Sequence, residues 1–333
     1  MINSLLVAAS LASIEEILKE RGVPYELEDG EAYRGYVKVW EESDQKDAMI
    51  RKARPAIRRI ASKEPYLFLD DGDPLMIRFN DNNRRMEDSF AEMLFERADK
   101  DWRIALSVKS DAEMTATMPV ADRESDSDNF MKQMVVYNEI DDWGFRIFGN
   151  PCSVEYFDDM NEILARVDSA DLNAWRDRLN DDSFVYDAMI TPMLRAMGRE
   201  MPRICKNHPE APQQLIDYFY RKIDYYYIDP IDEVGVTRIG AVNSHKMLGR
   251  IPGNDNLYTP SVEFPTQLLD VRLPSGKYGE LSRDTIQFTF DGGWAVRIHI
   301  FVEDTPEHGR LFGLKVYLPV TPFGSYRDQV EWE

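Results

Sequence analysis

Between residues 66 and 109 the apolar pattern changes from helical spacing to alternation. The chain reads there as four short strands, at residues 66–69, 75–79, 90–97 and 102–109. Asp70-Asp-Gly-Asp-Pro74 and Asp81-Asn-Asn83 punctuate them with turn residues. The last strand, Trp102-Arg-Ile-Ala-Leu-Ser-Val-Lys109, is apolar until it closes on a lysine. The one before it, Ser89-Phe-Ala-Glu-Met-Leu-Phe-Glu-Arg97, is acidic.

Two amphipathic helices precede this meander. Residues 11–21 place Leu11, Ile14, Ile17 and Leu18 on one face, and residues 44–62 do the same with Ala48, Ile50, Ala53, Ile57, Ile60 and Ala61. Glu64-Pro65 ends the second, because proline cannot continue a helix and disfavours helical geometry in the residue before it. Residues 110–135 are polar and poorly patterned, and read as a loop with one helical turn. Helices are expected at 153–166, with Ser153 as N-cap, at 184–201 and at 212–227. From residue 234 alternation dominates, with strands at 237–242, 267–272, 285–290, 294–302 and 311–318. The fold class is therefore α+β, helical and then strongly β in its second half, with no internal repeat. A boundary near 167/168 would separate residues 1–167 from residues 168–333.

Composition narrows the function classes. With 43% hydrophobic and 30% charged residues in 333, the chain is long enough for two lobes or one elaborated domain. The apolar run at residues 5–12 lacks a basic flank and a cleavage site, and no later run reaches membrane-spanning length, so a cytoplasmic protein without a membrane partner is expected. Two cysteines, Cys152 and Cys205, fit a reducing compartment. A formal net charge of −20 argues against coating nucleic acid non-specifically, which needs clustered Lys and Arg, but it leaves room for a local basic cleft.

Histidine first occurs at His208, so chemistry in the N-terminal half must run on carboxylates, lysine and a metal. No Gly-rich phosphate loop, nucleophile elbow or metal-spaced Cys/His cluster occurs. What remains is Asp81, Glu87, Asp88 and Glu92, with Lys109 after them. On a strand Asp88 and Glu92 share a face, and two carboxylates with a substrate phosphate suit Mg²⁺, which keeps several of its waters. Lys109 would then orient the attacking water and offset developing charge. The alternative is structural: carboxylates on a solvent-facing edge strand, and a lysine carrying a strand end out to water.

The whole-chain pattern bears on that choice. The strand ending at Lys109 is followed by Asp142-Trp-Gly144 and by Phe148-Gly-Asn-Pro-Cys-Ser-Val-Glu-Tyr-Phe157. Lys63-Glu-Pro65, Asp71-Gly-Asp73, Lys222-Ile-Asp-Tyr-Tyr226, Phe264-Pro-Thr266, Gly293-Trp294 and Arg297-Ile-His299 complete the series. In this order the motifs resemble those of the HaeIII family of restriction endonucleases, over most of the chain.

The resemblance implies a type II restriction endonuclease that hydrolyses double-stranded DNA at a short palindrome, GGCC in the family's named member, with Mg²⁺. It implies a PD-(D/E)xK-like core, a mixed sheet flanked by helices, with a β-rich C-terminal half reading DNA. Lys109 falls on the signature's lysine, and Ser107 stands where a carboxylate is usual. Asp88 and Glu92 take the acidic, metal-binding positions, with Glu15 or Glu16 completing the site. DNA contacts would come from Arg84, Arg85, Lys222, Asn243, His245, Arg297 and His299, since such side chains read base edges and phosphates. Arg297 and His299 alternate with Val296 and Ile298, so they also suit the plain polar face of a strand. A homodimer and a cognate cytosine-5 DNA methyltransferase are the expected partners. The chain departs from the family after Lys109, where Ser110-Asp-Ala-Glu-Met-Thr-Ala-Thr-Met-Pro119 replaces a histidine-rich, basic tract. That leaves open Asp111 or Glu113 as substitute ligands, or a catalytically silent DNA-binding or DNA-mimicking protein on the same scaffold.

Overall fold

The computed structural model describes residues 2–69, 73–79, 91–108, 113–119, 186, 190–220, 223–273, 282–305, 309–319 and 322–332. Helix α1 (Ile2–Arg21) begins nine residues before the expected one. Residues 5–11 of its first half, Ser10 included, are buried on all sides, so that stretch shows no amphipathic period. Helix α2 (Glu31–Glu42) has no fully buried residue, and Tyr33, Tyr36, Val39 and Trp40 pack partly buried against the core. Helix α3 (Lys46–Ala61) buries the expected Ala53, Ile57, Ile60 and Ala61, but Met49 and Ala56 in place of Ala48 and Ile50, which are only partly buried.

The strand expected at 66–69 is instead a 3₁₀ turn, Pro65–Phe68. Pro65 sets a helical φ, and the Leu67 N–H closes a turn on the Glu64 carbonyl at 3.1 Å. The remaining strands form a seven-stranded sheet. These are β1 (Tyr25–Leu27), β2 (Leu75–Phe79), β3 (Met93–Arg97), β4 (Trp102–Val108), β6 (Tyr225–Ile231), β7 (Val236–Val242) and β14 (Tyr326–Glu331), in that order from edge to edge. β1 runs parallel to β2 and β4 parallel to β6; the other neighbours are antiparallel. β6 overturns part of the helix expected at 212–227. Helix α5 (Ala211–Tyr220) stops short, and the β-forming run from Tyr225 pairs with β4.

One face of this sheet carries Leu75, Ile77, Met93, Phe95, Trp102, Ile104, Leu106, Val108, Tyr226, Ile228, Ile239 and Ala241, all packed in one core with the apolar residues of α1 and α3. Side chains alternate along a strand, so Glu96, Arg103, Ser107, Tyr227, Asp229, Arg238 and Arg327 belong to the opposite face.

A five-stranded sheet is ordered β10 (Leu268–Arg272), β11 (Thr285–Phe290), β12 (Ala295–Thr305), β13 (Gly309–Pro319) and β5 (Glu113–Pro119). β5 replaces the loop expected over that stretch. Helix α4 (Thr191–Asn207) approaches β10 and β11 at Gly198, where an added Cβ would lie 3.2 Å from Ile286 Cδ1. A short hairpin, β8 (Arg250–Ile251) with β9 (Asn254–Leu257), completes the strands. The chain divides into two compact units, residues 1–114 with 220–263 and 320–333, and residues 115–219 with 264–319. The helix expected at 153–166 and the boundary expected near 167/168 lie outside the described residues. No helix among the described residues is long and apolar enough to cross a membrane.

Candidate functional site

β3 and β4 pair with Met93 opposite Leu106, and one more step in that register sets Glu92 opposite Ser107. The Ala105 N–H donates to the Asp224 carbonyl, on the β6 side of β4. Backbone N–H groups alternate in direction, so that of Val108 points toward β3. There it donates to Glu92 Oε2 at 2.7 Å. A half-buried carboxylate is thus held at the end of β4, one residue before position 109. Ser107 is fully buried, and its Oγ has no hydrogen-bond partner among the described residues. Lys109, Asp88, Arg84, Arg85 and Lys222 lie outside the described residues.

The site face also holds residues that sequence reasoning missed. β6 sets Tyr227 beside Ser107 and continues to Asp229, which is only 3% exposed. Reading residues 212–227 as a helix gave Asp229 no place on a sheet. β7 then places Gly240 opposite Tyr227 and Arg238 opposite Asp229. A Cβ on Gly240 would meet Tyr227 Cζ at 2.0 Å, so the tyrosine ring occupies the space that a side chain there would take.

The expected completion of the site from α1 is not seen. Glu15 accepts a hydrogen bond from the Tyr25 hydroxyl at 2.8 Å, and Glu16 pairs with Arg54 at 2.8 Å and Arg58 at 3.6 Å. Both are engaged among the helices and β1.

The DNA-contact candidates have differing surroundings. Asn243 is fully buried; its Nδ2 donates to the Leu248 and Thr259 carbonyls at 3.1 and 2.9 Å, and its Oδ1 accepts from the Leu248 N–H at 3.1 Å. In this conformation it organises a loop and presents no edge to a base. His245 Nδ1 lies 3.2 Å from Asp224 Oδ1. Asp224, itself buried, accepts from the backbone N–H groups of Ser244, His245 and Met247 at 2.7 to 3.0 Å. Arg297 donates to Gln287 Oε1 through Nε at 3.3 Å and Nη2 at 3.2 Å. His299 Nε2 lies 3.4 Å from Asp284 Oδ2, and that contact, with the Ser282 and Thr285 hydroxyls, holds the Asp284 carboxyl well below the usual range. Arg297 and His299 are partly exposed while Val296 and Ile298 are fully buried, so the pair does form the polar face of β12.

The most perturbed acid in this unit is on the helical side of the sheet. Glu64 Oε1 accepts from the Tyr226 hydroxyl and from the Gly249 N–H, each at 2.6 Å. Tyr226 is also hydrogen-bonded to Thr259. Burial pushes the Glu64 carboxyl up to about 8, against the lowering effect of these donors. It is neutral at pH 7 and joins the end of α3 to β6 and the 249–259 hairpin.

Magnesium takes carboxylate oxygens, water and substrate phosphate. Glu92, fixed beside Ser107, is a donor of that kind. Among the described residues no group of three or more His, Cys, Asp and Glu side chains is assembled for a metal.

No curated protein and no solved structure matches the chain. The family model for the HaeIII restriction endonuclease matches residues 9–307. That span takes in β3, β4, β6, β7 and the polar strands of the second sheet. The chain belongs to the HaeIII restriction endonuclease family.

Proposed function

We propose that this restriction endonuclease cuts double-stranded DNA at a short palindrome, GGCC or a close relative, in a Mg²⁺-dependent reaction carried by the β3–β4 end of the seven-stranded sheet. The observation that carries this reading is the Glu92 carboxylate held by the Val108 N–H, beside Ser107 and one residue before Lys109. Family membership supports the reaction class. The order α3, then the β2–β3–β4 meander, then helices, then β6 parallel to β4 supports a PD-(D/E)xK-like core.

Asp88 and Glu92 would hold the ion, with Asp229 on the same sheet face as a nearby acid. The bound ion would lower the pKa of a water and stabilise charge on the phosphate. Glu92 is kept in place by its backbone donor and so does not reorganise as charge develops. Lys109 is assigned to orienting the attacking water and countering phosphate charge. Ser107, small and uncharged, would stand where the nuclease signature usually has a carboxylate. Arg297 and His299, on the polar face of β12, are proposed to contact DNA, with Gln287 and Asp284 setting their orientations. Arg84, Arg85, Lys222 and His245 are assigned supporting contacts. A palindromic site suits a two-fold homodimer, and a cytosine-5 methyltransferase would protect the host; both belong in the cytoplasm with the DNA.

The test is digestion of unmethylated DNA with and without Mg²⁺, by wild type and by Lys109→Ala. Discrete fragments are expected from wild type alone, with Mg²⁺ alone, and not from DNA premethylated at the site. Binding without cutting across a panel of divalent metals would instead establish the silent, DNA-binding scaffold.

A further inference from the structure

The polar face of the seven-stranded sheet continues beyond Ser107. Its register runs Ser107, Tyr227, Gly240, Arg327 in one row and Asp229, Arg238, Gln329 in the next. Residues directly opposite on neighbouring strands share a face. Arg238 and Arg327 are both exposed, and neither makes an ion pair or side-chain hydrogen bond among the described residues.

Some other arginines of this unit are matched to acids, Arg34 with Asp29 at 2.8 Å, Arg59 with Asp328 at 3.3 Å and Arg78 with Glu96 at 3.3 Å, whereas Arg97 and Arg250 donate to backbone carbonyls. In a chain of net charge −20, two exposed guanidinium groups without an ion pair among the described residues stand on the face of the candidate site. Asp229, buried, stands directly opposite Arg238, and Glu331 is the diagonal neighbour of Arg238 on β14, so the face carries both signs and Arg327 stands farther from these acids.

At ~4.8 Å between strands, Arg327 stands roughly 14 Å from Ser107 along the row, far enough to meet a phosphate other than the scissile one. Between them β7 contributes only Gly240, over which the Tyr227 ring lies.

We propose that Arg238 and Arg327 form a phosphate-contacting arm of the nuclease site, holding backbone phosphates of the duplex away from the scissile one. This rests on the endonuclease reading above. The planar fork of an arginine matches phosphate oxygens, and contacts to backbone add affinity and salt dependence without base preference.

The experiment compares wild type with the Arg238→Gln/Arg327→Gln double variant. Binding to two 30-base-pair duplexes, one carrying GGCC and one lacking it, is followed by fluorescence anisotropy from 50 to 200 mM salt, with Ca²⁺ replacing Mg²⁺. Each lost phosphate contact lowers the salt slope by about 0.9, so the pair lowers it by about 1.8. Over that range wild type then loses about 12-fold more affinity than the variant. The weakening is expected to be equal on both duplexes. Arg238→Lys/Arg327→Lys, which keeps the charge and guards against a folding artefact, is expected to restore most of the slope. Arg34→Gln, on α2 at the helical side, is expected to match wild type. A double glutamine variant with the wild-type slope, or a loss confined to the GGCC duplex, overturns the arm alone. Wild type that binds neither duplex overturns the endonuclease reading itself.

Discussion

The Val108 N–H donates to Glu92 Oε2 at 2.7 Å, where the β3–β4 ladder has ended and a backbone carbonyl would otherwise be its partner. A side chain thereby completes the strand pairing and fixes a carboxylate beside Ser107. Structural and chemical roles can be separated here, because glutamine keeps the acceptor and loses the charge. Glu92→Gln is expected to melt within about 2 °C of wild type, since the bond to Val108 survives. Its single-turnover cleavage in Mg²⁺ is expected to fall by about 10²- to 10³-fold, the usual effect of removing one preorganised electrostatic group. A melting scan and a quenched-time cleavage assay check the two halves independently.

Glu64 makes a prediction about pH. Its folded-state pKa of about 8 lies above the ordinary value of 4.5, so the folded chain keeps a proton that the unfolded chain has released. Stability therefore declines as pH rises from about 4.5 to about 8 and is level above that. At about 1.4 kcal/mol per unit, the contribution is on the order of 5 kcal/mol. Glu64→Gln keeps an acceptor for Tyr226 and Gly249 and cannot ionise. Urea unfolding across pH 5 to 9 is expected to show a flatter profile for the variant, with its advantage over wild type largest above pH 8.

Arg97 is a buried cation that gathers backbone carbonyls. It is 1% exposed and donates to the carbonyls of Tyr66, Asp73 and Leu69 at 2.6, 2.8 and 2.8 Å. Arg97→Met leaves those three acceptors without their donor, at about 1–3 kcal/mol each, so a loss of at least about 3 kcal/mol is expected. Arg97→Lys restores a charge without the fork and is expected to fall between the two in urea midpoint.

Gly240 and Tyr227 are coupled by space. Gly240→Ala forces the ring away from a position 2.0 Å from the new Cβ, with an expected cost of about 1–3 kcal/mol. In a Tyr227→Ala background the same change is expected to cost little, so a double-mutant cycle reads the coupling directly.

Legibility from sequence followed the physics of each segment. Helix α3 and strands β2, β4, β7 and β11 show a clean period, 3.6 or 2, and emerge within one or two residues of their expected bounds. The first half of α1 was hidden because a helix buried on every side has no polar stripe to mark its period. Tyr66 and Leu67 looked like a strand because a four-residue apolar run is ambiguous, and the turn is set by Pro65 and by Arg97 gathering carbonyls from a distant strand. The Tyr225-Tyr-Tyr run was joined to the helix before it, which concealed β6 and with it Asp229. In the candidate site, alternation marks Glu92 and the family resemblance marks Ser107, whereas Arg238 and Arg327 come onto one face only through strand order, since β14 comes from the far end of the chain to lie beside β7. The same dependence separates Asn243 from the contact role expected of it: only the folded loop shows its amide spent on Leu248 and Thr259.

The most direct measurement is to sequence the ends of fragments released from unmethylated genomic DNA by the purified protein in Mg²⁺. The expected result is that the ends share one short palindrome, GGCC or a close relative, with no release in EDTA and none from Glu92→Gln. Ends scattered without a common site, or DNA left intact in every divalent metal although the protein binds it, would contradict a site-specific nuclease centred on Glu92.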